Sequence, residues 1–280
     1  LGTRPTAVNL AWALAQAEKV LAPLSLEQQP GAALLLAEKM ADQDVANCEA
    51  IGQHGSQILE KLWRDKVDHS TPLQILTHCN AGWLATVDWG TALAVIYKTR
   101  EAGVPLHVWV DETRPRNQGA ALTTWELAHQ GIDHTLIVDN TGGYLMQKGM
   151  VDVCVVGSDR TTVNGDVCNK IGTYLKALAA RDNHIPFYVA LPVSSIDFSV
   201  SEGLKDIPIE QRDPAEVSHI TGLDTRGKLH TVNLAPAGTK AVNYGFDITP
   251  ARLVSGLVTE KGVCPADRQH ILALQDAPEP

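Results

Sequence analysis

From residue 72 to residue 190 the chain alternates short apolar runs with stretches of helical periodicity, almost without interruption. Runs at Leu73–Thr77, Leu106–Val110, His134–Val138, Val151–Val156 and Phe187–Ala190 are separated by helical patterns over Thr91–Glu101, over Ala120–His129, around Tyr144 and over Val167–Ala180. The runs are continuously apolar, the mark of strands covered on both faces. Strand and helix in alternation predict a parallel sheet with right-handed crossovers. The expected fold class is α/β, a Rossmann-like parallel sheet domain over residues 71–280 preceded by a helical N-terminal part over residues 1–70.

A parallel sheet delivers the last residue of every strand to one edge, where ligands bind. Here each run hands its loop a polar group: Cys79-Asn80, Asp111-Glu112-Thr113-Arg114, Asp139-Asn140, Asp159-Arg160 and Ser194-Ser195-Ile196-Asp197. Any one of these has a simpler use, since a cysteine after a strand is often a small buried hydrophobe and an Asp often caps the next helix. Five loops functionalised at one edge point instead to an active site. Cys79 and Asp159, far apart in sequence, are expected to face one pocket.

Outside this region the pattern is less regular. A helix is predicted from about Val8, with Thr3 or Thr6 as cap, broken by Pro23 and Pro30-Gly31. Further helices are predicted over Ala32–Asn47 and Ala50–Trp63. Beyond Pro208 come turn-rich segments, a candidate strand Leu229–Leu234, a candidate helix Arg252–Thr259 and a tail after Val263 expected to be partly disordered.

Composition excludes several classes. A net charge of −9 leaves no basic surplus to neutralise nucleic-acid phosphates. The five cysteines are widely spaced with no CxxC pair, which suggests neither zinc nor a disulfide framework and predicts reduced thiols in a cytoplasm. No apolar run reaches the roughly 18 residues of a membrane span.

Gly142-Gly143 has no accompanying dinucleotide fingerprint and reads as a tight turn before a helix. His78 and Cys79 are strand neighbours that point to opposite faces, so His78 is expected to be a packed or hydrogen-bonded histidine rather than the cysteine's base. Asn169-Lys170 is expected to open a helix whose free N–H groups, with the lysine, would grip an anion; a solvated lysine is the plainer alternative.

Taken together, Leu76-Thr77-His78-Cys79-Asn80-Ala81-Gly82, Asp111-Glu112-Thr113-Arg114-Pro115-Arg116 with Gln118-Gly119-Ala120, Gly157-Ser158-Asp159-Arg160, Asn169-Lys170-Ile171-Gly172-Thr173 and Ile207-Pro208-Ile209-Glu210 resemble the methylthioribose-1-phosphate isomerase family. That family shares a superfamily with the alpha, beta and delta subunits of translation initiation factor 2B. The likeness runs from Arg4-Pro5-Thr6-Ala7-Val8-Asn9-Leu10 to Thr259-Glu260-Lys261-Gly262.

The resemblance implies Cys79 and Asp159 as the catalytic pair, with Arg4, Gln118, Asn169 and Lys170 around a sugar phosphate. It also implies a homodimer, no metal, no cofactor and a role in methionine salvage. Cys79 would be a thiolate base, its ionisation favoured by a cation or helix N-terminus, and Asp159 a neutral acid, kept so by apolar walls such as Trp83, Val155 and Val156. The family also carries an Arg-Gly-Ala-Pro-Ala-Ile motif in a preceding domain. Nothing in these residues matches it, and no initiating Met is present, so the chain is expected to be a fragment or to work with a separate piece. Tyr244-Gly245 stands where the family more usually has Pro-Ala. Related isomerases of 5-deoxyribose 1-phosphate or ribose 1,5-bisphosphate, and a non-catalytic regulatory subunit, remain alternative functions.

Overall fold

The computed structural model describes residues 5–276, and every count below is of those residues. Helix α1 (Asn9–Leu21) is followed by α2 (Gln29–Asp65), a single 37-residue helix. The two helices expected over this span are therefore one, because nothing between Asn47 and Ala50 breaks the backbone pattern. Pro30 does not break it either, because in the first turn its missing N–H has no helical partner to lose.

The alternation then unfolds as β1 (Leu73–Thr77), α3 (Ala92–Glu101), β2 (Leu106–Asp111), α4 (Thr124–His129, entered through a π-helical turn Gly119–Thr123), β3 (His134–Ile137), α5 (Thr141–Gln147) and β4 (Val153–Val156). Next come β5 (Arg160–Thr162), β6 (Val167–Lys170), α6 (Thr173–Asp182), β7 (Phe187–Ala190), β8 (Ile196–Asp197), α7 (Gly203–Asp206) and α8 (Ala215–Ser218). The chain closes with β9 (His219–Leu223), β10 (Leu229–Asn233), β11 (Phe246–Thr249), β12 (Gly256–Thr259), β13 (Gly262–Cys264) and α9 (Arg268–Asp276).

The main sheet has the order β13-β12-β7-β4-β1-β2-β3 and is parallel except for the β12–β13 pair. The chain starts at β1, builds outward through β2 and β3, then returns to lay β4 on the other side of β1. That reversal is the topological switch point, the crevice where such sheets bind ligands. Apolar cores cover both faces, as the continuous strand runs require. One packs Ile51 and Leu59 of α2 and Leu93 and Ile96 of α3 against Ile75 and Val108; the other packs Ala177, Ala180 and Ile271 against Leu76, Val156 and Val189. Helices α2 and α3 meet closely because Gly55 carries no side chain: a Cβ there would stand 2.3 Å from a Val95 methyl.

A second, four-stranded sheet, β11-β6-β5-β8, sits over the edge where β4 ends. It replaces part of the helix expected over Val167–Ala180. Val167–Lys170 pairs antiparallel with Phe246–Thr249, and the helix starts only at Thr173, after Gly172 takes φ +103°. Arg252–Thr259 likewise is not a helix but a 3-10 turn (Ala251–Leu253) leading into β12, which finds β7 as partner. Gly142 and Gly143 lie within the first turn of α5. The tail is ordered where apolar side chains anchor it: α9 buries Ile271 and Leu274. No helix among the described residues is long and apolar enough to cross a membrane.

Candidate active site

The switch point opens into a cleft of about 950 Å³ lined by Cys79, Asp159, Gln118, Asn169 and Lys170 together. Five of the six residues singled out from the sequence thus share one cavity. Arg4 lies outside the described residues, although its successor Pro5 lines the same cleft. Asn169 and Lys170 arrive on β6, not at a helix start, so the anion grip expected from free helix N–H groups is replaced by side chains carried on a strand.

Cys79 follows β1 with φ +66°, the left-handed region that a side chain with a Cβ rarely occupies. Thr113, after β2, does the same at φ +66°. The two are locked together: Cys79 N–H donates to Thr113 Oγ1 (2.9 Å), and the Cys79 carbonyl accepts from Thr123 Oγ1 (2.7 Å). Thr113 is fixed in turn, since the Asp139 carboxylate accepts its N–H (2.7 Å) and that of Arg114 (2.8 Å). Strain held by surrounding bonds at a pocket is a sign of function.

Glu126 anchors the rest of this loop from behind. The fully buried carboxylate accepts from Asn80 Nδ2 (2.9 Å), Trp83 N (2.9 Å), Leu84 N (3.2 Å) and Tyr97 OH (2.7 Å). Gly82 must be glycine here, because a Cβ would sit 2.0 Å from that carboxylate.

Asp159 begins the β5–β6 hairpin, its N–H bonded to the Cys168 carbonyl (2.9 Å) and its carbonyl accepting from Val8 N (3.2 Å). Beside it Arg160 pairs with Asp197 (3.3 Å). Buried Gln118 Oε1 and Asn80 Oδ1 accept no hydrogen bond from the described residues, and both residues line the cleft. Orphaned acceptors in a cavity wall are suited to a hydroxylated ligand.

Behind the cleft His78 behaves as a hydrogen-bonded core residue. Its Nε2 donates to the Ile171 carbonyl (2.8 Å), while Nδ1 meets the Asp111 carboxylate (2.8 Å), which also receives Lys176 Nζ (3.1 Å). His78 thereby ties the residue before Cys79 to the residue after Lys170, fixing the spacing of two cleft-lining groups. His78, Asp111 and Asp139 bring potential metal-ligand atoms within 4.8 Å of one another. That spot already holds the Lys176 ammonium, and Asp139 is committed to backbone N–H groups.

The electrostatics differ from the sequence expectation at Cys79. Burial, seconded by Asp159, pushes the thiol up to about 11, against the opposing pull of Lys170, the Asn80 N–H and Arg116. The thiol is therefore the resting form. Burial also lowers Lys170, more than Cys79 and Asp159 hold it up. The apolar walls differ from those expected as well. Val155 and Val156 are packed into the cores and Trp83 packs at a tilt against Trp125 (ring centroids 5.4 Å), so Ala81, Leu84, Ala85, Leu122 and Phe246 line the cleft instead. Arg116 and Arg212, which pattern alone did not single out, also reach it.

Comparison with known proteins agrees with this architecture. Residues 1–266 match the model of the initiation factor 2 subunit family. The methylthioribose-1-phosphate isomerase of Rhodospirillum rubrum is 58% identical over 285 residues, covering 100% of this chain and 73% of its own length. The enzyme of the same name from Escherichia coli is 59% identical, over 96% of this chain and 72% of its own. Among solved structures, 5-methylthioribose 1-phosphate isomerase from Pyrococcus horikoshii superposes with a TM-score of 0.81 at 40% identity, covering 98% of this chain and 72% of that one. Translation initiation factor eIF-2B subunit delta from A. fulgidus does so at 0.77 and 40%, covering 97% and 75%. The extent of the family match and these identities place the fold and its cleft in one lineage: the chain belongs to the initiation factor 2 subunit family.

Proposed function

We propose that the protein is an aldose–ketose isomerase that converts 5-methylthioribose 1-phosphate to 5-methylthioribulose 1-phosphate, with Cys79 as base and Asp159 as acid. The observation that carries this reading is the convergence of a thiol and a carboxyl from the ends of neighbouring strands β1 and β4 on one cleft that also holds Gln118, Asn169 and Lys170. The relatives named for this reaction, at 58% and 59% identity, support it.

A furanose 1-phosphate cannot open to a free aldehyde, because its anomeric oxygen carries the phosphate. The acid form of Asp159 gives its proton to the ring oxygen as the C1–O bond breaks. The Cys79 thiolate takes the C2 proton, leaving an enol whose C1 oxygen still bears phosphate. Return of that proton from sulfur to C1, with loss of the 2-hydroxyl proton to Asp159, forms the ketone and restores both groups. Lys170 offers charge to the phosphate, while Gln118 and Asn169 offer polar contacts to hydroxyls. Leu84, Ala85 and Leu122 form an apolar wall suited to the methylthio group.

In this reading the protein acts in methionine salvage, in the cytoplasm and as a homodimer, with Arg4 completing the substrate contacts. Cys79→Ser and Asp159→Asn are each expected to reduce ketose formation by about 10³-fold or more with an unchanged thermal melting curve. Activity within tenfold of wild type in either variant would remove that residue from its role. Comparing turnover of the 5-methylthio, 5-deoxy and 5-phospho sugars tests the substrate, and preference for the bisphosphate would overturn this assignment.

A further inference from the structure

Among the described residues, Lys170, Arg212 and Arg116 are the lysines and arginines that line the cleft, and they are held differently. Arg212 donates through Nε (3.0 Å) and Nη2 (2.9 Å) to one oxygen of Glu210. Lys170 is buried, its Nζ 4.5 Å from the centre of the Phe246 ring. Arg116 differs. Its side chain is 52% exposed, and its one ion-pair contact is a long one, 3.8 Å from Nε to Glu216 Oε1.

Glu216 is the fixed member of that pair. Its other oxygen accepts from Asn243 Nδ2 (2.8 Å), and its backbone carbonyl and that of Val217 accept from the Arg114 guanidinium (3.1 and 2.8 Å). Arg116 therefore hangs between a clamped carboxylate on one side and the cleft on the other. It also sits on the same loop as Thr113, whose hydroxyl holds the Cys79 N–H.

We propose that Arg116 is a positioning residue for the reaction: drawn between Glu216 and the cleft, its guanidinium is the adjustable positive charge that favours the thiolate of Cys79. This rests on the reading of Cys79 as the base. Lys170 and Arg116 share the cleft with that sulfur and favour its thiolate, which an ionised Asp159 would oppose and the acid form of Asp159 does not. Lys170 is an imperfect partner, because burial weakens its own hold on a proton. A guanidinium stays charged at any pH the enzyme meets, so Arg116 supplies the positive charge that does not titrate away. Glu216 moderates it by competing for the same cation.

The test is the rate at which iodoacetamide alkylates Cys79 in the full chain, followed by peptide mass spectrometry from pH 7 to pH 10 so that the other cysteines do not contribute. Arg116→Gln is expected to slow alkylation at pH 8 by about three- to tenfold, Arg116→Lys to restore most of the rate, and Glu216→Gln to raise it by a similar factor. Alkylation of Arg116→Gln within twofold of wild type overturns the proposal, whatever the other variants do. The base reading fails separately, through an active Cys79→Ser enzyme, and that result leaves the alkylation comparison intact. With both correct, kcat/KM falls in Arg116→Gln along with the alkylation rate and returns in Arg116→Lys.

Discussion

A thiol that ionises only near pH 11 is an awkward base at neutrality and a strong one once formed. The base role needs the thiolate, and the thiolate fraction grows tenfold per pH unit below the thiol's own value. Hence the rate at which iodoacetamide alkylates Cys79 is expected to climb steadily from pH 7 to pH 10, read by peptide mass spectrometry. A plateau reached by pH 8 would exclude this burden on Cys79. At the neighbouring loop, Glu126→Ala strands four donors, three of them on or next to the cleft-lining turn. It is expected to cost about 3 kcal/mol or more of unfolding free energy in urea melts and to lower turnover as the turn loosens. Tyr97→Phe removes one of those donors and should cost about 1 kcal/mol. None of this was legible in sequence. Glu126 looks like any surface helix acid until the fold turns it beneath the loop, and Arg116 gains meaning only from Glu216, a hundred residues away.

Elements were legible where the chain itself decides them. Strands β1, β2, β4 and β7 are apolar runs with no other way to be buried, and they appear where the pattern puts them to within two residues. Elements failed where a distant partner decides. Val167–Lys170 has too few apolar residues to declare itself a strand before β11 pairs with it, and Gly256–Thr259 reads as half a helix until β7 offers an edge. The C-terminal helix is the clearest case. Its Pro-flanked, polar surroundings suggested disorder, yet Ile271 is fully buried against the second core. Ile271→Ala is expected to destabilise the whole fold by about 2–4 kcal/mol, seen as a lower midpoint in chemical denaturation; a change below about 0.5 kcal/mol would mean that α9 is only loosely attached.

At the scale of the whole molecule, the site is an outcome of strand order. Because β4 returns beside β1, residues far apart in sequence share a crevice, and a second sheet then brings Asn169 and Lys170 over it. The sequence located the edge, and five of the six residues named from it line the cleft, since topology needs only the alternation. It could not place the walls, which depend on how the loops fold back. The β9–β10 hairpin has a further use. Its outer end projects from the body, Leu223 and Leu229 both exposed, while its base at His219 is held by the Arg114 guanidinium, one residue from the loop that fastens Cys79. A dye attached at Thr225 would ride on that lever, and its fluorescence anisotropy would register, from a distance, any rearrangement of the Cys79 loop when the proposed substrate is added.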